Sequence, residues 1–391
     1  MKRIYLDNAA TSFPKPPQVY QAMIDYATRI GASAGRGAYG EAIESGRMIG
    51  ECRKKIAQLI CAPDPNHIIM TFNCTDGLNL AIHGLLNSGD HVITIWMNHN
   101  SVLRPLNELK SRIGLQVDFV PCAFDGIVDP DDIRRAIKPN TKLIAILHGS
   151  NVTGTVEPIH QIAKIAREHD LLILVDAAQT IGHLPIDVQK DQIDFLAAPG
   201  HKGLLGALGT GFLYIRPGLE KILRPLKQGG TGSWSEEAVQ PQALPDKYES
   251  GSHNALGIAG LTAGLDYLLN RTVADIHQQD RALCRKFMAG LDEIDGLTWF
   301  GPRESANRIG VFSVRMEGYT PRELSAALES KFGILTRSGL HCAPLAHKTI
   351  GTLENGGTTR FSFGPFITIE DLDYILNALQ KLSVRSATTL V

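Results

Sequence analysis

The sequence predicts an α/β architecture built on a mostly parallel sheet of seven strands, and three observations lead there. Short apolar runs recur at residues 68–72, 91–95, 117–120, 143–147, 171–175, 194–197 and 211–215. Helical patterns fit between them, so strand and helix alternate, the arrangement in which crossover helices cover both faces of a parallel sheet. With 391 residues, 43% hydrophobic and 20% charged, the chain can bury a large core and has an ordinary globular composition.

Taken in order, the first run is followed by Cys74-Thr75-Asp76 and an apolar-periodic stretch over 77–86, which reads as a helix start. The Asp129-Pro130 pair begins a helix over 131–137, and Pro158 begins another over 159–169. The expected order is βαβ throughout. Residues 227–252 are rich in Gly, Ser and Pro without periodicity, a long excursion expected to be ordered by a ligand or a partner chain. Beyond Asn254 come a Gly-containing helix to residue 269, a long helix over 273–294, strands near 297–300 and 308–314, and helices around 321–332 and 368–382. That last third reads as a smaller α+β domain. The expected division is a large domain over 15–270 and a small C-terminal one over 271–391, joined by the N-terminal segment 1–14, with a frayed tail over 383–391.

Charge narrows the partners. Lys and Arg number 39 against 40 Asp and Glu, for a net charge of -1, and no basic run forms a footprint for nucleic acid or a membrane surface. No apolar stretch approaches the roughly 20 residues that span a bilayer, and Met1-Lys2-Arg3 leads at once to Asp7 and Asn8, unlike a signal peptide. A cytoplasmic location is expected. The 6 cysteines are scattered without a C-x-x-C pair, so reduced thiols are expected and one of them is free for chemistry.

Polar residues gather just after the strands, along the edge where parallel sheets bind ligands. Cys74-Thr75-Asp76 follows the first run, Asn98-His99-Asn100 the second, His148 with Ser150-Asn151 the fourth, Asp176 with Gln179 the fifth, and His201-Lys202 the sixth. Lys202 lies 26 positions after Asp176, about one βαβ step, which sets the two side by side. A lysine beside a buried aspartate suits pyridoxal 5'-phosphate (PLP): the amine forms a Schiff base with the aldehyde, and the carboxylate keeps the pyridine nitrogen protonated. A plain buried ion pair is the alternative. Thr75-Asp76 at a helix start favours an anion such as a phosphate, although Thr75 also reads simply as an N-cap. His99 is a structural histidine or a ring lying on the pyridine face. The glycines of 203–211 precede a strand instead of joining a strand to a helix, so they do not form a dinucleotide fingerprint.

These segments resemble the PLP-dependent class V aminotransferase-fold enzymes, most closely the cysteine desulfurases and selenocysteine lyases. The resemblance spans nearly the whole chain and rests on Tyr5-Leu6-Asp7-Asn8-Ala9-Ala10-Thr11, Ser150-Asn151-Val152-Thr153-Gly154-Thr155, Val175-Asp176-Ala177-Ala178-Gln179, Gly200-His201-Lys202 and Arg337-Ser338-Gly339-Leu340-His341-Cys342. It implies the fold type I of PLP-dependent transferases. It further implies that Lys202 carries the cofactor, Asp176 pairs with the pyridine nitrogen, Gln179 reaches the ring hydroxyl, His99 stacks on the ring, and Thr75, with Asp76 beside it, and His201 hold the phosphate. Arg337 would pair with the substrate carboxylate, Asn151 would support that carboxylate or the cofactor, and Cys342 would attack the substrate sulfur.

The implied reaction converts L-cysteine to L-alanine with a persulfide on Cys342, passed to a protein sulfur acceptor, as in sulfur mobilisation for iron-sulfur cluster assembly. A homodimer is implied, with residues 229–233 or 250–252 reaching the neighbouring subunit's phosphate. Three features set the sequence apart from relatives: Asn98 where an acidic residue is usual, and Gly35 and Tyr39 near Arg36-Gly37 where histidines are common. Alternatives are a selenocysteine lyase, an aminotransferase, epimerase or kynureninase-like hydrolase in which Cys342 is incidental, or a non-enzymatic scaffold. A zinc site of Cys342, His341 and His347 is disfavoured, because one cysteine at those spacings matches no common zinc pattern.

Overall fold

The computed structural model describes residues 2–388 apart from 36 and 234, and side chains through 383. Arg36 of the Arg36-Gly37 pair and the last three residues of the chain therefore lie outside the described residues. In chain order the strands are β1 (Ile4–Tyr5), β2 (Ile68–Thr71), β3 (His91–Ile95), β4 (Gln116–Val120), β5 (Thr141–Leu147), β6 (Leu172–Asp176), β7 (Phe195–Pro199), β8 (Gly211–Ile215), β9 (Leu297–Phe300), β10 (Val311–Met316), β11 (Ile334–Leu335), β12 (Arg337–Gly339) and β13 (Thr358–Ser362). The helices are α1 (Pro17–Asp25), α2 (Gly40–Leu59), α3 (Cys74–Leu85), α4 (Asn100–Ile113), α5 (Pro130–Arg135), α6 (Ile159–Glu168), α7 (Ala255–Arg271), α8 (Val273–Asp292), α9 (Pro321–Phe332), α10 (Pro344–Thr349) and α11 (Ile369–Thr388).

Among the described residues, seven strands form one sheet in the order β2-β8-β7-β6-β5-β3-β4. Every neighbouring pair is parallel except those made by β8, which runs antiparallel to β2 and β7. The βαβ expectation fails at two places. The connections β6–β7 and β7–β8 contain no helix. The second is short enough to reverse direction, which is what an antiparallel neighbour needs. The first lies against the second: Gly182 has φ +77°, and a Cβ there would meet the carbonyl oxygen of Gly203 at 2.3 Å. The two connections pack closely there, and β7 still runs parallel to β6, so the strand-edge logic survives. Because β8 reverses twice over, the C-terminal end of β2 also falls on the edge shared by β3, β5, β6 and β7.

The sheet is buried on both faces. Ile56, Ile173, Ile258 and Leu265 belong to one apolar cluster and Leu78, Leu106, Leu174 and Phe195 to the other, all fully buried or nearly so. The second body of structure is a four-stranded antiparallel sheet, β12-β13-β10-β9, with its own core. Phe287 of α8 anchors that core with ring centroids 4.9 Å from Phe312 and 5.2 Å from Phe363. Strand β1 pairs in parallel with β11, and the main chain of Asn8 continues onto Ser362, so the N-terminal segment is stitched to the later sheet.

The stretch 227–252 holds no helix or strand among its described residues. It is fastened from within the subunit: Arg53 of α2 pairs with Glu249 at 2.6 Å, both buried, and Gln240 donates to the carbonyl of Asp246 and to Ser250 Oγ at 3.0 Å each. The tail expected to fray is helical to Thr388. Among the described residues no helix is long and apolar enough to cross a membrane, and the cysteines are free thiols.

One buried carboxyl stands apart from any chemistry at the strand edge. Glu157 is 2% exposed, its Oε2 accepts from the Val128 amide at 3.0 Å, and its Oε1 has no partner. Burial pushes its pKa up from 4.5 to about 8. A carboxyl that keeps its proton in the fold while the unfolded chain releases it makes folding less favourable as pH rises. Its stabilising contribution is complete below about 4.5 and lost by about 8. Glu157→Gln is expected to flatten the fall in melting temperature between pH 5 and 8, a difference read by thermal denaturation of the two proteins across that range. Parallel curves for the two would show that Glu157 does not titrate in that window.

Candidate active site

The C-terminal edge of the seven-stranded sheet encloses a cavity of about 100 Å³. Five loops line it, contributing Asn73, Cys74 and Thr75 after β2, His99 and Ser101 after β3, Asn151 after β5, Asp176 and Gln179 at β6, and His201 and Lys202 after β7. All five were expected from the positions of the apolar runs.

Asp176 is the last residue of β6 and 6% exposed. Its Oδ1 accepts the Ala178 amide at 2.9 Å and the Cys74 thiol at 3.4 Å, while Oδ2 has no hydrogen bond among the described residues. Lys202 faces the same cavity, yet no ion pair joins it to Asp176 within 4.0 Å. The two are therefore near neighbours rather than a closed salt bridge. Burial lowers the Lys202 pKa, opposed by the charge of Asp176. The turn that carries Lys202 is pinned from behind: the His201 carbonyl accepts from the Ser12 amide and from the Ser12 and Thr11 hydroxyls at 3.0, 3.0 and 3.1 Å.

Helix α3 begins earlier than expected, at Cys74, with Asn73 as its cap; the Asn73 side chain accepts from the Asp76 amide at 2.9 Å. Thr75 is thus not the cap, and its hydroxyl is free to meet Ser101 Oγ at 3.0 Å. Asp76 does not line the cavity. Its carboxylate turns back to accept the Phe72 amide at 3.1 Å and lies 3.9 Å from Lys227. An acidic residue in a helix's first turn complements the dipole, which explains its place there without a ligand.

His99 caps α4: its Nδ1 accepts the Ser101 amide at 3.1 Å and meets Ser101 Oγ at 2.6 Å. An amide can only donate, so in the neutral ring the proton sits on Nε2. Burial pushes the His99 pKa down to about 4, against the opposing charge of Asp176. Asn98, by contrast, is fully buried and faces the core, donating to Thr94 Oγ1 and to the Ala145 carbonyl at 2.9 Å. It does not line the cavity, so the departure at this position is a matter of packing between β3 and β5.

Arg337 and Cys342 lie outside the cavity lining, at its margin. Cys342 is exposed, and Arg337 Nη2 is 3.6 Å from its sulfur. The turn that presents it is strained: His341 and Cys342 have φ of 48° and 60°, a region that non-glycine residues seldom occupy and that costs about 1–3 kcal/mol per residue. Two contacts with the strand-edge loops hold it. The Cys342 carbonyl accepts the Asn100 amide at 2.9 Å, and Asn151 Nδ2 donates to the His341 carbonyl at 2.7 Å. Asn151 therefore bridges the cavity to the thiol-bearing turn. Among the described residues no group of three or more His, Cys, Asp or Glu could hold a metal ion.

Arg360 was missed. It lies on β13 with no exposure, pairs with Asp7, and donates to the Asn151 carbonyl at 3.2 Å. Its charge acts on His341, and burial lowers its own pKa. A lone arginine inside the short strand Thr358–Ser362 carries no sequence signal until that strand is placed beside the sheet edge.

Residues 4–375 match the model of the family described as Aminotransferase class-V. The chain belongs to that family. Within it, this class-V chain is 35% identical to a probable cysteine desulfurase of Methanothermobacter thermautotrophicus, over 97% of its own length and 94% of the relative's. It is 30% identical to a cysteine desulfurase of Escherichia coli, over 97% and 93% respectively. Among solved structures, the apo cysteine desulfurase of Thermococcus onnurineus superposes with a TM-score of 0.92 at 33% identity, covering 98% of this chain and 95% of that one. An Escherichia coli cysteine desulfurase superposes with a TM-score of 0.87 at 29% identity, covering 99% and 95%. The fold of this class-V member is the type I arrangement that the motifs imply.

Proposed function

We propose that this class-V enzyme is a PLP-dependent cysteine desulfurase that converts L-cysteine to L-alanine and collects the sulfur as a persulfide on Cys342. The observation that carries the proposal is Cys342 itself, exposed and set beside Arg337 on a turn tied to the cavity through Asn151 and Asn100. The relatives' shared name supports it.

The side chains of the cavity fit PLP. Among the described residues Asp176 Oδ2 and the Lys202 amine have no hydrogen-bond partner, and His201 Nδ1 is buried without one. Gln179 donates to the Ala9 carbonyl at 3.0 Å, leaving its oxygen to accept. The α3 N-terminus with the Thr75 hydroxyl offers donors for a phosphate. In this reading Lys202 would hold the cofactor, with Asp176 toward the pyridine nitrogen, Gln179 toward the ring hydroxyl and His99 toward the ring face, while Thr75 and His201 would hold the phosphate. Asp76 acts from outside by fixing the first turn of α3.

When bound, PLP supplies an electrophilic carbon for the substrate amine and a conjugated ring that spreads the negative charge left by the α-proton. Lys202, whose charged form is disfavoured by burial, would take that proton as general base. His99, whose pKa burial pushes down to about 4, would cover the ring mainly as the neutral imidazole near neutral pH. Arg337 receives the substrate carboxylate by a bidentate pair, and Asn151 supports it. Cys342 as thiolate attacks the substrate sulfur: a sulfur–sulfur bond forms, the carbon–sulfur bond breaks, and its electron pair stays with the carbon, which gains a proton to become the methyl group of alanine. Cys342 is left oxidised to the persulfide, and a protein thiol acceptor removes the outer sulfur. A homodimer, in which residues 229–233 or 250–252 complete the neighbouring phosphate site, belongs to the same proposal.

The test is incubation of the PLP-loaded protein with L-cysteine. Alanine and a Cys342 persulfide are expected in equal amounts in the first turnover, read by amino-acid analysis and peptide mass. A 2-oxo acid from another amino acid, with no alanine from cysteine, would overturn the proposal in favour of transamination.

A further inference from the structure

We propose that Cys74, the first residue of α3, is a positioning residue: its thiol fixes the carboxylate of Asp176 so that a single oxygen is turned to the cofactor ring. The proposal rests on the PLP reading above and goes beyond it, since Cys74 has no part in the sulfur chemistry.

A carboxylate at the end of a strand can rotate, and only one of its orientations aims an oxygen squarely at a ring nitrogen. At Asp176 both ways of satisfying Oδ1 come from the protein, the Ala178 amide at 2.9 Å and the Cys74 sulfur at 3.4 Å. The amide approaches from the chain just beyond β6, while the thiol approaches from a different element 102 positions away in sequence. Two donors from two directions fix rotation where one would leave it loose. Oδ2 has no hydrogen-bond partner among the described residues.

Cys74 is itself held. It is 8% exposed, and its backbone is fixed by close approach of the preceding residue to β8, where a Cβ on Gly211 would lie 2.8 Å from the Asn73 carbonyl carbon. The thiol must keep its proton to donate, and burial together with the neighbouring Asp176 charge raises its pKa well above the usual value. A thiol so protected is a poor nucleophile, unlike the exposed Cys342. Cys74 also begins the helix whose N-terminus faces the phosphate end of the cavity, so one residue couples the two ends of the cofactor site.

The experiment compares Cys74→Ala, which removes the donor, with Cys74→Ser, which keeps one. The readout is the pH titration of the visible absorbance of the PLP-loaded proteins, with kcat and KM for L-cysteine alongside. A less constrained, more basic Asp176 leaves less positive charge on the ring, so the Cys74→Ala midpoint is expected to rise by about 0.5 pH unit, with kcat down about threefold to tenfold. KM is expected to stay within about twofold, because the carboxylate of the substrate is bound elsewhere. Cys74→Ser is expected to titrate within about 0.2 unit of the parent. An Ala variant that titrates like the parent overturns the role, and so does a Ser variant displaced as far as Ala. Thermal melting of both variants separates either outcome from misfolding, and if Ala does not fold, Cys74→Val takes its place as the variant without a donor. A parent protein that develops no visible absorbance with PLP would overturn the cofactor reading itself, a result distinct from an unmoved variant.

Discussion

Replacing Lys202 with alanine is expected to lower desulfuration of L-cysteine by about 1,000-fold, roughly 4 kcal/mol in the barrier. The loss has two parts. Without the amine, the proposed cofactor would be held only by non-covalent contacts, and the proposed base for the α-proton would be gone. Borohydride reduction separates the two: in the parent it should fix the cofactor to the peptide that contains Lys202, and in Lys202→Ala it should fix none, although PLP still binds. Added small amines are expected to restore part of the rate by serving as the missing base. An alanine variant with near-parental turnover would show that Lys202 is only a cavity-lining cation.

Cys342→Ala is expected to cut alanine formation from L-cysteine by about 100-fold or more while leaving cofactor absorbance unchanged, since the side chain lies outside the cavity lining. Exchange of the substrate α-proton with deuterium should continue, because that step uses Lys202 and not the thiol. Activity toward L-selenocysteine, whose leaving atom is released more readily, should fall less than activity toward L-cysteine. Equal retention of both activities would place the protein with the class-V enzymes in which this cysteine is incidental. A fall in proton exchange to match the fall in alanine would instead mean that the substitution had disturbed the cavity itself.

Much of the site was legible because parallel strands end on one edge, and a polar residue directly after an apolar run needs no tertiary information to be placed there. Asp176 and Lys202 came together this way, even though the connection between their strands holds no helix. The reversed strand β8 was not legible, since an apolar run has no direction written in it; only the tight approach of Gly182 to Gly203 shows why the crossover stays close. Asn73 was overlooked as the α3 cap because Thr75-Asp76 carries the same capping chemistry two residues later. Asp76 consequently sits on the outer side of the first turn. Arg360 escaped notice because its partners, Asp7 and Asn151, are far from it in sequence, and only sheet pairing makes them neighbours.

The left-handed turn at His341 and Cys342 has a consequence for sulfur delivery. A catalytic thiol on a long free arm carries its cargo outward to whatever accepts it. This one is fastened on each side, at the Cys342 and His341 carbonyls, and the backbone between them has few other conformations to visit. In the proposed reaction the persulfide would therefore be delivered where it is made. An acceptor in that reaction would have to bring its own thiol to the exposed Cys342, and the reach required in the transfer would belong to the acceptor and not to this chain.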